Sequence, residues 1–145
     1  MTTVKHSIVA LIVAGLTAVA AYAQNAPAVE MINADELKAK VTNNQPVTII
    51  DVRSSEGYAA ATTTVKGAIH FKLRKLKYRL QYPPLKNVPK DQEIVTYCAC
   101  PKDEASIAAA QILQAAGFKR VKVLQGGWQG WLRANGPVEP RVKSD

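Results

Sequence analysis

The chain has two cysteines, Cys98 and Cys100, set two residues apart at the junction of two contrasting stretches. Ahead of them runs Ile94-Val95-Thr96-Tyr97, apolar and β-branched. Behind them Pro101-Lys102-Asp103-Glu104 leads into an alanine-rich segment, 105–116. This is the pattern of a strand delivering a thiol to the mouth of a helix. Unpaired amides at a helix N-terminus favour a thiolate, whereas an ordinary cysteine has a pKa of about 8.5. The pattern predicts nucleophilic sulfur chemistry in the loop Cys98, Ala99, Cys100, Pro101, Lys102, Asp103 and Glu104. Residues two apart in extended chain point to the same side, so both sulfurs can face one pocket. A thiol beside a persulfide can attack it, releasing sulfide and leaving a short, reducible disulfide. A bridge of purely structural role is the competing expectation. Two cysteines and the distant His70 do not make a four-ligand set, so no metal is expected, and no cofactor.

The elements that must position this loop can be read on either side of it. Asn33 followed by Glu36 is a capping box opening a short helix over 35–41. Val47-Thr48-Ile49-Ile50 is a continuous apolar run suited to a strand buried on both faces, and Asp51-Val52-Arg53 stands at its end. Ser54 or Ser55 caps a short helix through Tyr58 and Ala60. A second short strand is expected within 65–71. The stretch 72–79 alternates Leu73, Leu76 and Tyr78 with five basic residues, a short amphipathic helix or turn that Pro83-Pro84 cannot continue. Glu93 to Tyr97 is the third strand and 105–116 a buried helix, with Gly117 and Phe118 as its C-terminal stop. Val121-Lys122-Val123-Leu124 is the fourth strand. Gly126-Gly127 turns the chain into a last helix over 128–134. Alternating strands and helices joined by short loops predict an α/β fold with a mostly parallel sheet.

The first 23 residues stand apart. A basic start at Lys5 and His6, an apolar run over 7–20 and the small-x-small Ala21-Tyr22-Ala23 describe a secretory signal peptide cleaved before Gln24. The alternative is an uncleaved anchor, although the apolar run is shorter than the ~20 residues of a spanning helix. The expected organisation is a signal peptide at 1–23, a flexible leader at 24–30, one domain at 31–140 and a tail at 141–145. The exported chain is assigned to a bacterial periplasm, with no membrane span after cleavage. The full chain carries a net charge of +8, and only Lys5 of its basic residues would be lost. Export argues against nucleic acid as the partner of that charge; a small anion, an anionic partner or a membrane surface fits better.

The ordered set Ile49-Ile50-Asp51-Val52-Arg53, Gly67-Ala68-Ile69, Val95-Thr96-Tyr97-Cys98, Ala116-Gly117-Phe118, Val121-Lys122-Val123-Leu124 and Gly126-Gly127-Trp128 resembles a single-domain rhodanese over 31–137. The resemblance implies an α/β fold with a central five-stranded parallel sheet flanked by helices. It implies a sulfurtransferase whose cysteine takes sulfane sulfur from a donor such as thiosulfate, becomes a persulfide, and passes the sulfur to a thiol or cyanide-like acceptor. Asp51 and Arg53 match the family's Asp-x-Arg and, with Gly126 and Gly127, are assigned structural support. The histidine-bearing element of the family reads Thr63-Thr64-Val65-Lys66 here, and the loop lacks the family's arginine and glycine. Aligning the strand makes Cys98 the catalytic residue, the preferred assignment because the nucleophile then sits where the strand ends. Aligning the helix makes it Cys100, the alternative. Two other functions stay open: a non-catalytic sulfur carrier or binding module docking a protein partner on 72–79, and a thiol-disulfide redox protein using both cysteines. A phosphatase or arsenate reductase is disfavoured, because oxyanion recognition there calls for an arginine in the loop.

Overall fold

A computed structural model describes residues 27–142 of the chain. The expected signal peptide lies outside the described residues, as do 24–26 and 143–145. Strands β1 (Glu30–Ile32), β2 (Thr48–Asp51), β4 (Ile69–His70), β5 (Glu93–Tyr97) and β6 (Arg120–Leu124) form a five-stranded sheet of order β1-β6-β5-β2-β4. Every pairing in it is parallel, with Ile49 opposite Val95 and Val95 opposite Lys122 in the central strands. Helices α1 (Ala34–Thr42), α2 (Ser55–Ala60), α3 (Leu73–Arg79), α4 (Glu104–Ala115) and α5 (Gly127–Arg133) connect the strands. The five-stranded α/β architecture expected from the sequence is the one present.

Burial on both faces follows from the strand period of two. Ile50 and Ile94 point into one core with Leu76 of α3 and Ala109, Ala110 and Leu113 of α4. Their neighbours Ile49 and Val95 point into the other, with Leu37 of α1 and Trp128 and Trp131 of α5. A continuous apolar run was therefore the correct signature for β2 and β5. Burying a Leu76 or Leu113 side chain completely contributes roughly 1.5–3 kcal/mol each.

The local signals act as their chemistry requires. Asn33 Oδ1 accepts from the Glu36 amide at 2.8 Å, and Ser54 Oγ from the Gly57 amide at 3.0 Å. Helix α4 stops where Gly117 takes φ +91°. The Gly117 amide bonds the Gln114 carbonyl and the Phe118 amide the Leu113 carbonyl, while Phe118 packs into the same core as Leu113. Only one side of α4 is fully buried, through Ser106, Ala109, Ala110 and Leu113. Gln111 and Ala115 remain exposed, so the helix is less enclosed than its composition suggested.

Besides β1, two further strands had no counterpart in the sequence reading. β3 (Thr63–Val65) and β7 (Val138–Pro140) pair antiparallel as a separate two-stranded ribbon. The domain edges move with them. Glu30, counted with the leader, already pairs with Lys122 in β1. At the other end Arg141, counted as tail, donates from Nε to the Ala61 carbonyl at 2.6 Å, and Tyr58 OH donates to the Val142 carbonyl at 3.0 Å. The ordered domain thus extends beyond 31–140 at both ends.

Candidate functional site

The cysteine loop lies at the C-terminal end of β5, the end of a parallel sheet where crossover loops build sites. Three pieces of chain meet there: the end of β5, the start of α4 and the turn from β6 to α5. The Trp128 amide donates to the Cys98 carbonyl at 2.8 Å. Gly127, at φ +48°, lies so close that a Cβ on it would overlap the Cys98 carbonyl oxygen and approach Asp103 Oδ1 to 3.2 Å. A glycine is required here both by the backbone angle and by the room available. Gly126 donates its amide to Asp103 Oδ2 at 3.0 Å. The two glycines expected to support the site are therefore in direct contact with it.

Cys98 and Cys100 are joined as a disulfide. Their environments differ. Cys98 is 1% exposed and belongs to the core around Ile50 and Ala109, whereas Cys100 is half-buried at its margin. Cys98 Sγ lies 3.6 Å from Ser106 Oγ and accepts from the Cys100 amide at 3.4 Å. Cys100 Sγ accepts from the Ala105 amide, in the first turn of α4, at 3.4 Å. The helix N-terminus anticipated as the thiolate's partner thus contacts Cys100, the less buried of the two cysteines.

Asp103, at the N-cap of α4, takes φ +56° and turns inward to 8% exposure. Its carboxylate bonds Gly126 across the site, and its carbonyl accepts from Ser106 Oγ at 2.8 Å. Glu104 is exposed in the first turn of α4, where its charge suits the helix dipole. Ala99, Pro101 and Lys102 form the exposed lip of the loop. Ser106, which no single-residue signal singled out, connects the sulfur of Cys98 to the loop backbone. Its own carbonyl accepts from Thr96 Oγ1 at 2.8 Å, tying α4 to β5.

Asp51, the last residue of the neighbouring strand β2, and Arg53, two residues beyond it, form a fully buried pair, with Nη2–Oδ2 at 2.6 Å and Nε–Oδ2 at 2.9 Å. Asp51 also accepts from Tyr97 OH at 2.7 Å and Thr64 Oγ1 at 3.1 Å. Burial and the Asp51 charge push the Tyr97 phenol far above its ordinary range, so it stays a neutral donor. The Arg53 guanidinium packs over the Trp128 ring at 4.4 Å. Through Tyr97 and Trp128 this pair braces both chain segments that flank Cys98. Thr64, in the segment that departs from the family's histidine-bearing element, is a member of the network. His70 is stacked on Tyr58 at 3.8 Å, and its Nε2 lies 3.0 Å from the Arg53 carbonyl. It is engaged with the brace and not with a sulfur.

At the opposite end of the sheet, buried Glu93 gathers Lys40, Arg120 and Lys122 within 4 Å as an ion cluster. It stands at the start of β5 and the cysteines follow its end, a five-residue strand rising about 3.3 Å per residue, so it serves the fold. The basic stretch 72–79 forms α3 and sits against α4, with Arg74, Lys75, Lys77 and Arg79 exposed. Among the described residues no group of three or more His, Cys, Asp or Glu is arranged to hold a metal. No helix among them is long and apolar enough to cross a membrane.

Residues 33–134 match the profile of the Rhodanese-like domain. Among curated relatives, "Arsenate reductase 2.1" of Oryza sativa subsp. japonica is 31% identical over 121 residues, 78% of this chain and 73% of that protein. A "Sulfurtransferase" of Allochromatium vinosum is 24% identical over 110 residues, 76% of this chain and 94% of that protein. Among solved structures, the Rhodanese-like domain of the Alr3790 protein from Anabaena sp. superposes with a TM-score of 0.64 at 26% identity. That match covers 81% of this chain and 89% of the Anabaena domain.

Proposed function

The chain belongs to the rhodanese-like domain family, and from that premise we propose that it moves sulfane sulfur from an anionic donor such as thiosulfate to a thiophilic acceptor through a cysteine persulfide. The observation that carries the proposal is the unequal placement of the two sulfurs. Cys100 is half-buried where Cys98 is wholly buried, and its sulfur accepts from the Ala105 amide of α4. That amide and the helix end favour the thiolate that attacks the donor, and equally the persulfide anion that results. Cys98 is screened from an incoming donor by the loop and the core. The proposal therefore assigns sulfur uptake to Cys100, the assignment made by the helix register, and not to Cys98 at the strand end. Lys102 on the exposed lip attracts an anion, with Glu104 beside it opposing. The net positive charge, +8 for the full chain and one less once Lys5 is removed, adds long-range attraction.

One rival has an observation of its own. The Cys98–Cys100 bond favours a thiol-disulfide redox protein that never carries sulfane sulfur. Reduction of an arsenate-like oxyanion, which the name of the rice relative raises, finds no arginine in the loop for the bidentate recognition such an anion calls for. Incubating the reduced protein with thiosulfate is expected to liberate sulfite, and thiocyanate once cyanide is supplied as acceptor. A protein that cycles between dithiol and disulfide without ever liberating sulfite would decide for the redox rival.

Export is part of the same proposal, on the pattern of residues 1–23. The secreted chain is expected to begin at Gln24, read by N-terminal sequencing of protein from the periplasm. A chain retained in the membrane with Met1 or Thr2 at its start would contradict it.

A further inference from the structure

The two sulfurs lie close enough to be bonded to one another, and this gives the persulfide a second exit that needs no external acceptor. We infer that Cys98 is a resolving thiol, and that the protein discharges sulfane sulfur as hydrosulfide at the expense of a dithiol reductant. This inference rests on the persulfide reading above and specifies where that sulfur goes.

The first step forms a bond between Cys100 Sγ and the outer sulfur of thiosulfate. The sulfur–sulfur bond of thiosulfate breaks, and sulfite leaves with the electron pair. Cys100 is now a persulfide anion. In the second step Cys98 Sγ attacks Cys100 Sγ. The Cys98–Cys100 bond forms, the persulfide bond breaks, and the outer sulfur leaves as hydrosulfide carrying the proton that Cys98 gave up. That sulfur is reduced and the two cysteine thiols are oxidised, so the electrons balance within the site. The product is the disulfide seen in the structure. A dithiol then attacks the more exposed sulfur, Cys100, expels Cys98 as the thiol, and closes its own disulfide.

The surroundings of Cys98 suit this part. At 1% exposure it is withheld from solutes, but Cys100 is two residues away and within bonding reach. An attack held in place this way is favoured over one by an acceptor arriving from solvent. Ser106 Oγ, 3.6 Å from Cys98 Sγ, is the one hydroxyl in hydrogen-bond contact with that sulfur among the described residues. It is fixed in turn by the Asp103 carbonyl at 2.8 Å. A polar contact to an otherwise core-bound thiol gives its proton a neighbour when the thiolate forms. A cysteine whose only task was to fill the core would not need one.

The test uses the fully reduced chain, freed of reductant and given thiosulfate with neither thiol nor cyanide present. The wild-type protein is expected to release one hydrosulfide for each sulfite and to lose both titratable thiols. Dithiothreitol supplied as the dithiol should then make hydrosulfide release continuous. Cys98→Ser and Cys98→Ala are both expected to release sulfite, to hold the added sulfur as a stable mass increase, and to release no hydrosulfide. Wild-type protein that keeps the extra sulfur and yields no hydrosulfide would overturn the inference while leaving the persulfide reading intact. Equal hydrosulfide release from either Cys98 variant would also overturn it. Absence of sulfite from every form would instead remove the persulfide reading, and the inference with it.

Discussion

An Arg53→Met protein is expected to lose about 3–5 kcal/mol of stability, a large share of the ~5–15 kcal/mol that holds a domain of this kind together. The loss comes from what stays behind. Asp51 is wholly buried, and Arg53 supplies the only cationic partner of its carboxylate among the described residues. Removing the guanidinium leaves a charge in the core, together with a gap over the Trp128 ring. The companion Asp51→Leu/Arg53→Met protein removes both charges and is expected to lose less than the two single changes added together. Tyr97 and Thr64 would each lose an acceptor in it, so the double change is not neutral. Urea denaturation of the four proteins measures the coupling. A loss below about 1 kcal/mol in Arg53→Met would mean that the brace is not what holds this end of the sheet.

The brace also shows how far a sequence can be read. The Asp-x-Arg motif after a buried strand was visible as a motif, and a structural role for it was expected. Its partners were not visible, because Thr64 and Tyr97 are 13 and 46 residues distant from Asp51 and meet it only through the fold. The same division runs through the elements. α1, β2, β5 and the C-terminal end of α4 were legible because their signals are local: a cap three residues from the amide that donates to it, an apolar run, a glycine at the stop. β1, β3 and β7 are three residues each, and what makes them strands is their pairing. Val65 lies opposite Val138, a relation no short window contains.

The cysteine loop divides likewise. The placement of a thiol between strand and helix could be read directly, and so could the chance that both sulfurs face one side, but not whether they are bonded. The inward turn of Asp103 could not, since it depends on the Gly126 amide arriving from another part of the chain. The strand register and the helix register each select one cysteine, and the proposed uptake at Cys100 rests on their unequal burial in the core around Ile50 and Ala109.

Replacing Cys100 is therefore expected to have the largest effect on activity of any single change in the site. In Cys100→Ser the atom at the start of α4 becomes a hydroxyl, far too weak an acid to be ionised by the Ala105 amide. The remaining thiol, Cys98, is buried. Sulfite release from thiosulfate should fall to the uncatalysed background, while the fold, which takes little from this half-buried side chain, is retained. The most direct measurement is the mass of Cys98→Ser and Cys100→Ser after reduction and exposure to thiosulfate, with peptide mapping to locate the gain. The expected result is one added sulfur on Cys100 in the Cys98→Ser protein and none in the Cys100→Ser protein. An added sulfur on Cys98 in Cys100→Ser, with none in Cys98→Ser, would contradict the assignment and return catalysis to the end of β5.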